Sequence, residues 1–312
     1  MDGRLQIFTG NANIPLARSI ASHLNLNLGR AIVGVFKNGE TRVQLEENVR
    51  GSDVFIVQSL TTPVDHHLME LLLMIDALRR ASAQRVTAVI PYYGYAKQEK
   101  KTTGREPISA KLIANLIATA GADRVLTMDL HAPAIEGFFD IPVDHLQAGP
   151  LIADHFRSRN MKNVVVVSPD AGGVGRANKF RERIGASLAI IAKQRPAPDV
   201  SEVVEMVGDV AGKHAVIFDD MISTGGTLAE AAKTLKERGA ISVVACATHG
   251  IFAGNAVELL GDSVMEEVLV TDTIPLPPEA GAARIAQISV ASLFAEAIIR
   301  IHKDLSLSAL FS

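Results

Sequence analysis

Short apolar runs alternate along this chain with longer stretches whose apolar positions recur every three or four residues. The short runs predict strands at residues 6–9, 54–57, 86–90, 125–128, 164–168, 188–191, 215–218, 243–247 and 268–271. Leu68, Leu71, Leu72, Ile75 and Leu78 mark the clearest helical stripe. Lys233, Lys236, Glu237 and Arg238 close another helix, and Gly239 is placed to stop it. Strands alternating with amphipathic helices predict a parallel sheet with helices on its faces.

A second regularity lies above the first. Val49-x-Gly51 followed by VFIV recurs as Val210-x-Gly212 followed by AVIF. Ser-Ala-Gln-Arg-Val86 recurs as Gly-Ala-Ile-Ser-Val243, and Val125-Leu-Thr-Met-Asp129 as Val268-Leu-Val-Thr-Asp272. The opening LQIFTG strand and its helix match VVVVSP and its helix. This shared order predicts two copies of one α/β unit in tandem. They are expected at residues 1–147 and 148–312, with a seam at Gly149-Pro150 and the C-terminal helix in the second copy. The copies differ where chemistry would sit. Asp219 and Asp220 of the second stand as Gln58 and Ser59 in the first.

At 312 residues the chain can hold two such units, each with its own core. Apolar residues make up 48% of it, yet no apolar run approaches a membrane span. The first residues, MDGRLQIFTGN, enter a strand without the basic and apolar regions of a secretory leader. The one cysteine, Cys246, lies in the apolar string VVACA, so no disulfide within the chain is expected and the setting is read as cytoplasmic. A net charge of −3 argues against a nucleic-acid surface.

Residues 216–228, VIFDDMISTGGTL, concentrate the chemistry. An apolar strand runs into two acids, then a Ser-Thr-Gly-Gly-Thr turn, then a helix. A helix N-terminus presents free backbone N–H groups and the positive end of its dipole, which suits a phosphate monoester. Gly225 and Gly226 let the backbone approach that phosphate, and Ser223, Thr224 and Thr227 add hydroxyl donors. Asp219 and Asp220 are placed for a sugar diol. Phosphate and diol together describe a ribose 5-phosphate. An ordinary strand-to-helix turn is the plainer alternative. Two commoner phosphate motifs fail. Gly212-Lys213 is followed by His214 and enters a strand instead of leaving one, so it is no Walker loop. Gly173-Val-Gly175 lacks the third glycine, Asn178 standing there, and the next strand ends in Ala192-Lys193 with no acid for a nucleotide ribose.

Other strand ends also carry polar groups. Asp129-Leu-His131 places an Asp and a His on one side of an extended segment. The pair fits a hydrated Mg2+ bridged to phosphates, or a capping Asp beside a structural His. Asp170, before Gly172-Gly173, fits a metal, a ribose hydroxyl or a bare turn. Asp140 and Asp144 fit supporting or turn roles. Tyr92 to Arg105 form a loop of aromatics and cations suited to polyphosphate oxygens, or simply a solvated basic loop. Lys193 and Arg195 display two cations at a strand end, and the segment to about Glu205 reads as a mobile lid over a phosphoryl group.

The acid-acid, x3, T-G-G-T order resembles the phosphoribosyl-binding loop of type I phosphoribosyltransferases. More widely, PYYGYAKQEKK, REPISAKL, DLHAPAIEGFFDIPVDHL, VVSPDAGGVGRA, KQRPAPDV, DDMISTGGT, ATHGIF and DTIPL follow one another as in class I ribose-phosphate pyrophosphokinases. The resemblance covers essentially the whole chain. It implies an α/β fold of two tandem type I phosphoribosyltransferase-like domains, each a mostly parallel sheet flanked by helices. It implies transfer of the diphosphoryl group of ATP to O1 of ribose 5-phosphate, with AMP released. In this resemblance Ser223, Thr224, Gly225, Gly226 and Thr227 hold the 5-phosphate, Asp219 and Asp220 the ribose hydroxyls. His131 and Asp170 organise Mg2+ with Asp129 nearby. Lys193 and Arg195 are catalytic cations, Arg195 also touching the sugar phosphate. Lys97, Gln98 and His131 contact ATP, and Phe36, Asn38, Gly39 and Glu40 cover the adenine from a neighbouring subunit. A homo-hexamer, with inorganic phosphate and ADP as effectors acting near Lys100–Arg105, is also implied.

The chain departs from that family's pattern at Lys97 and Glu99, where Arg and Asp are usual. It departs again at Ser223, where Asp is customary, and at Ala134 and Glu136, where Gln is favoured. Lysine lacks the planar fork of Arg toward a phosphate, so weaker ATP binding is expected. Two rivals stay open at this point: a phosphoribosyltransferase that consumes the diphosphate, and a non-catalytic regulatory homologue.

Overall fold

The computed structural model describes residues 3–194 and 203–310. It divides into two compact units, one of Met1–Gln147, Thr273–Pro275 and Ser289–Ser312, the other of Ala148–Asp272 and Leu276–Ile288.

The first unit runs β1 (Leu5–Thr9), α1 (Ile14–His23), β2 (Ala31–Val35), β3 (Thr41–Leu45), β4 (Asp53–Val57), α2 (Val64–Arg80), β5 (Arg85–Ile90), α3 (Ser109–Ala120), β6 (Arg124–Met128), a 3₁₀ turn at Pro133–Phe138, and β7 (Val143–Leu146). Its sheet is parallel in the order β1-β4-β5-β6-β7. All five positions of β4 are buried, as a strand covered on both faces requires. On α2 the predicted stripe turns inward: Leu68, Leu71, Ile75 and Leu78 are buried. Each such side chain contributes about 1.5–3 kcal/mol by leaving water.

The second unit runs α4 (Gly149–Ser158), β8 (Val164–Ser168), α5 (Val174–Ile184), β9 (Ser187–Gln194), β10 (Val203–Val207), β11 (His214–Ile222), α6 (Gly226–Glu237), β12 (Ser242–Gly250), α7 (Ala256–Gly261), β13 (Glu267–Thr271), a 3₁₀ turn at Pro278–Ala283, and β14 (Ile285–Ile288). The sheet order is β10-β9-β8-β11-β12-β13-β14, parallel except for the antiparallel edge strand β10. Helix α6 stops as expected, with Gly239 just beyond its end at φ +88°.

The repeat is visible bond by bond. Gly51 and Gly212 both turn at φ +69°, and their N–H groups donate to Ser82 O and Gly239 O, each at 2.9 Å. The N–H of Asp129 donates to Leu146 O, and that of Asp272 to Ile288 O, both at 3.0 Å. Strands β1, β4, β5, β6 and β7 thus correspond to β8, β11, β12, β13 and β14.

Every predicted strand is present. The unpredicted ones have physical reasons. β2 and β3 form a separate hairpin, half-buried at best, so they lack the apolar runs of covered strands. Its signal was the Asn38-Gly39 turn, with Gly39 at φ +92°. β7 and β14 are four-residue edge strands. The expected lid to about Glu205 is corrected in part, because Val203–Val207 pairs as β10.

The last helix, α8 (Ala291–His302), belongs to the first unit and not to the second as expected. Its twin is α4, which follows β7 and packs on α5; in the same way α8 follows β14 and packs on α1. Its attachment is chemical. Asp53 is fully buried and takes both arms of Arg85, at 2.7 and 2.6 Å. The ring of His302 reaches the same carboxylate at 2.8 Å, and Arg85 also donates to Ile301 O at 2.9 Å. Removing one partner of such a buried ion pair is strongly destabilising, which ties α8 to this unit.

Candidate functional site

The order of the second sheet reverses beside β8, since β9 lies on one side of it and β11 on the other. At such a point the connecting helices leave on opposite faces and open a crevice at the carboxyl ends of the strands. Asp170 follows β8, and Asp219 and Asp220 end its neighbour β11. The acids lie within β11, which runs four residues past the predicted end and keeps pairing, Asp219 opposite Ala247.

Asp220 is buried and Asp219 half-buried. Arg176, in the first turn of α5, places one guanidinium nitrogen 2.6 Å from Asp219 Oδ1 and 3.1 Å from Asp220 Oδ1. The backbone N–H of Asp220 donates to Asp219 Oδ1 at 2.8 Å. Burial, and then the charge of Asp220, push the Asp219 carboxyl up to about 7, against the pull of Arg176. A carboxyl raised by burial beside a second acid in a crevice makes this a candidate functional site. Sequence reasoning missed Arg176, although it lies in the string VVSPDAGGVGRA. Only the fold brings α5 over β11.

Beyond Ile222 the chain turns through Ser223 and Thr224 to Gly225, which caps α6 at φ +76°. No side chain caps this helix, so its leading N–H groups face outward, with the exposed Thr224, Gly226 and Thr227 around them. A Cβ on Gly225 would meet Leu260 at 3.1 Å. Gly225→Ala is therefore expected to strain the turn by about 1–2 kcal/mol and raise the KM for a bound phosphate ester about 5–30-fold. Steady-state kinetics at saturating co-substrate check this; an unchanged KM would remove the turn from the site.

Asp170 is exposed, and its Oδ1 accepts the N–H of Gly173 at 2.8 Å, so one of its oxygens serves the turn. Lys193 lies inside β9, its backbone opposite Val204. Arg195 lies outside the described residues.

In the first unit the position of the acid pair is filled by uncharged groups. Gln58, fully buried, accepts the N–H of Ala12 at 3.1 Å and donates to Glu70 at 2.7 Å and to His67 O at 3.1 Å. A Cβ on Gly10 would lie 2.5 Å from that amide, so the crevice is closed there by the protein itself. Asp129 and His131 follow β6 of this unit, Asp129 at φ +37°. Tyr92 and Tyr93 are buried, and the Tyr93 hydroxyl donates to Ala110 O at 2.9 Å, so these rings belong to the core. Lys97 and Gln98 are exposed, and Gln98 accepts from Ser109 Oγ at 2.6 Å. Glu106 receives N–H groups from Thr103 and Thr102, which hold its carboxyl down to about 2 and brace the Lys100–Arg105 loop. On the hairpin, Phe36 is 48% exposed with the Arg42 guanidinium 5.6 Å from its ring centre, while Asn38 and Gly39 form the turn to Glu40.

A family profile described as the N-terminal domain of ribose phosphate pyrophosphokinase matches residues 5–121. A second, the phosphoribosyl synthetase-associated domain, matches residues 192–312. The ribose-phosphate pyrophosphokinase of Caldanaerobacter subterraneus subsp. tengcongensis is 55% identical over 309 residues, which span 99% of this chain and 98% of the relative. The chain belongs to the ribose-phosphate pyrophosphokinase family. The ribose-phosphate pyrophosphokinase of Bacillus subtilis agrees at 50% over 311 residues, 100% of this chain and 98% of that one. A crystal structure of phosphoribosylpyrophosphate synthetase from Mycobacterium smegmatis superposes with a TM-score of 0.92 at 42% identity, covering 96% of this chain and 99% of the other. The two-unit parallel-sheet fold is therefore that of a ribose-phosphate pyrophosphokinase.

Proposed function

We infer that this chain is a ribose-phosphate diphosphokinase, which makes 5-phosphoribosyl 1-diphosphate and AMP from ribose 5-phosphate and ATP. The carrying observation is an uncapped helix N-terminus one short turn from an arginine-braced acid pair, at the switch point of the second sheet. The 5-phosphate sits on the N–H groups and hydroxyls of Ser223, Thr224, Gly225, Gly226 and Thr227. Asp219 and Asp220 accept the ribose hydroxyls.

The sugar O1 attacks the β-phosphorus of ATP. The new O1–P bond forms as the bond to the bridging oxygen breaks, and AMP leaves with that electron pair. The O1 proton passes to solvent. No side chain becomes covalently attached, so the rate comes from positioning and from charge placed on the transferring group. Lys193 and Arg195 supply that positive charge. Lys97 and Gln98 contact ATP, and Phe36, Asn38, Gly39 and Glu40 cover the adenine of a neighbouring subunit in a hexamer. Inorganic phosphate and ADP act as effectors near the Lys100–Arg105 loop, and the reaction takes place in the cytoplasm. Among the described residues no helix is long and apolar enough to cross a membrane.

The donor set bears on the metal. Among the described residues no three His, Cys, Asp or Glu side chains cluster closely enough to cage an ion. Asp129 and His131 are the donors proposed in the first unit and Asp170 the one proposed in the second; Mg2+ keeps water and phosphate oxygens in most of its shell and needs few protein donors. When bound it would neutralise phosphate charge.

The test mixes protein, Mg2+, ATP and ribose 5-phosphate in phosphate buffer and measures AMP. AMP that appears only with the sugar is the expected result. Its absence would favour a phosphoribosyltransferase or a non-catalytic homologue.

A further inference from the structure

We propose that His145 is a positioning residue, which holds the Asp129–His131 segment in the shape that receives the magnesium nucleotide. The inference rests on the reading above that this segment serves Mg2+ and ATP.

Asp129 has a positive φ, uncommon for a residue with a side chain, so neighbouring bonds must fix the turn that follows β6. Two successive N–H groups do so. That of Asp129 donates to Leu146 O at 3.0 Å, and that of Leu130 to the His145 ring at Nε2, 2.8 Å. Leu130 lies between the two candidate ligands, so the ring grips the segment at its middle.

This grip dictates the tautomer. A backbone N–H can only donate, so Nε2 must be the bare, accepting nitrogen and the ring proton sits on Nδ1. That proton has a partner, since Nδ1 lies 2.5 Å from Glu136 Oε1. Glu136 belongs to the 3₁₀ turn that begins two residues after His131. The chain therefore leaves Leu130, turns, and returns through Glu136 to the other side of the same ring. His145 closes the loop from inside, with its side chain 13% exposed. The arrangement is that of a partner that orients a metal-binding group without touching the metal.

The twin unit shares this frame. Thr127 stands opposite His145 in the first sheet, as Val270 stands opposite Gln287 in the second. The first N–H bond is conserved between the units, Asp272 donating to Ile288 O at 3.0 Å. Gln287, at the place of His145, donates its amide N–H to Thr271 O at 3.0 Å.

The experiment measures kcat and both KM values for His145→Phe, His145→Gln, His131→Ala and Gln287→Leu, with melting temperature as a check on folding. Phe keeps the ring's bulk and loses the acceptor; its KM for Mg-ATP is expected to rise about 10–100-fold, with the KM for ribose 5-phosphate unchanged. Gln restores an acceptor oxygen at similar reach and is expected to recover most of the loss. Gln287→Leu is expected to leave the KM for Mg-ATP unchanged. Should the Phe variant fail to fold, His145→Asn, too short to reach Leu130, takes its place. A normal KM for Mg-ATP in the folded Phe or Asn variant, an equal rise in both KM values, or no recovery with Gln would overturn the proposal. His131→Ala separates the two levels. If it is impaired while the Phe variant is normal, only the role of His145 fails. If it binds Mg-ATP normally, the reading of the whole segment fails, and the proposal with it.

Discussion

Replacing Asp219 and Asp220 together by Asn is expected to lower kcat/KM for ribose 5-phosphate about 10²–10⁴-fold. In the proposed site each carboxylate accepts from a sugar hydroxyl, and a hydrogen bond to a charged group contributes about 1.5–3 kcal/mol. Two such bonds amount to about 3–6 kcal/mol, with about 1.4 kcal/mol for each factor of ten. The change also strips Arg176 of both anionic partners, so a lower melting temperature accompanies the loss. The KM for ATP should stay near its normal value, and a variant that loses both KM values equally would show a general collapse instead. A pH profile gives an independent check. Asp219 ionises at about 7, and only its charged form accepts two hydroxyl protons. Affinity for the sugar is therefore present above that pH and lost as pH falls through it. Asp220→Asn removes the neighbouring negative charge that raises the Asp219 carboxyl, so the acid limb should move to lower pH. A limb that stayed in place would break the assignment of the titration to this pair.

The second large effect is expected at Lys193 and Arg195. Lys193→Ala or Arg195→Ala should reduce kcat about 10³–10⁵-fold, the range for an arginine that stabilises charge on a transferring phosphoryl group. Ground-state binding should suffer less, because the cations act on charge that develops as AMP departs. Arg195→Lys should recover little, since an ammonium lacks the planar fork that two phosphate oxygens accept. Single-turnover measurement of AMP formation separates this from slow product release. A loss confined to KM would make the cations binding groups only.

The departures at Lys97 and Ser223 bear on affinity rather than chemistry. Lys97 is exposed, and Ser223 half-buried at the start of the glycine turn. Lys97 keeps a cation for a phosphate oxygen without the planar fork of Arg, and Ser223 offers a hydroxyl donor where an Asp carboxylate would only accept.

Much of this was legible in the sequence. The alternation of buried strands and striped helices specified parallel sheets, because a strand covered on both faces must be apolar throughout. The twinned strings specified two units, and D-D-x3-T-G-G-T specified an acid pair and a glycine turn on one β-α connection, the seat proposed for the sugar phosphate. What pattern could not express is who meets whom. Arg176 reaches Asp219 and Asp220 because α5, after leaving β8, packs across β8, β9 and β11. The C-terminal helix joins the first unit through Asp53, Arg85 and His302, three residues far apart in the chain and ordinary in their local strings. His145 grips Leu130 because β6 and β7 lie side by side. Periodicity records which face of an element is buried. Packing alone decides which charges are brought together there, and the cost of burying them selects their partners.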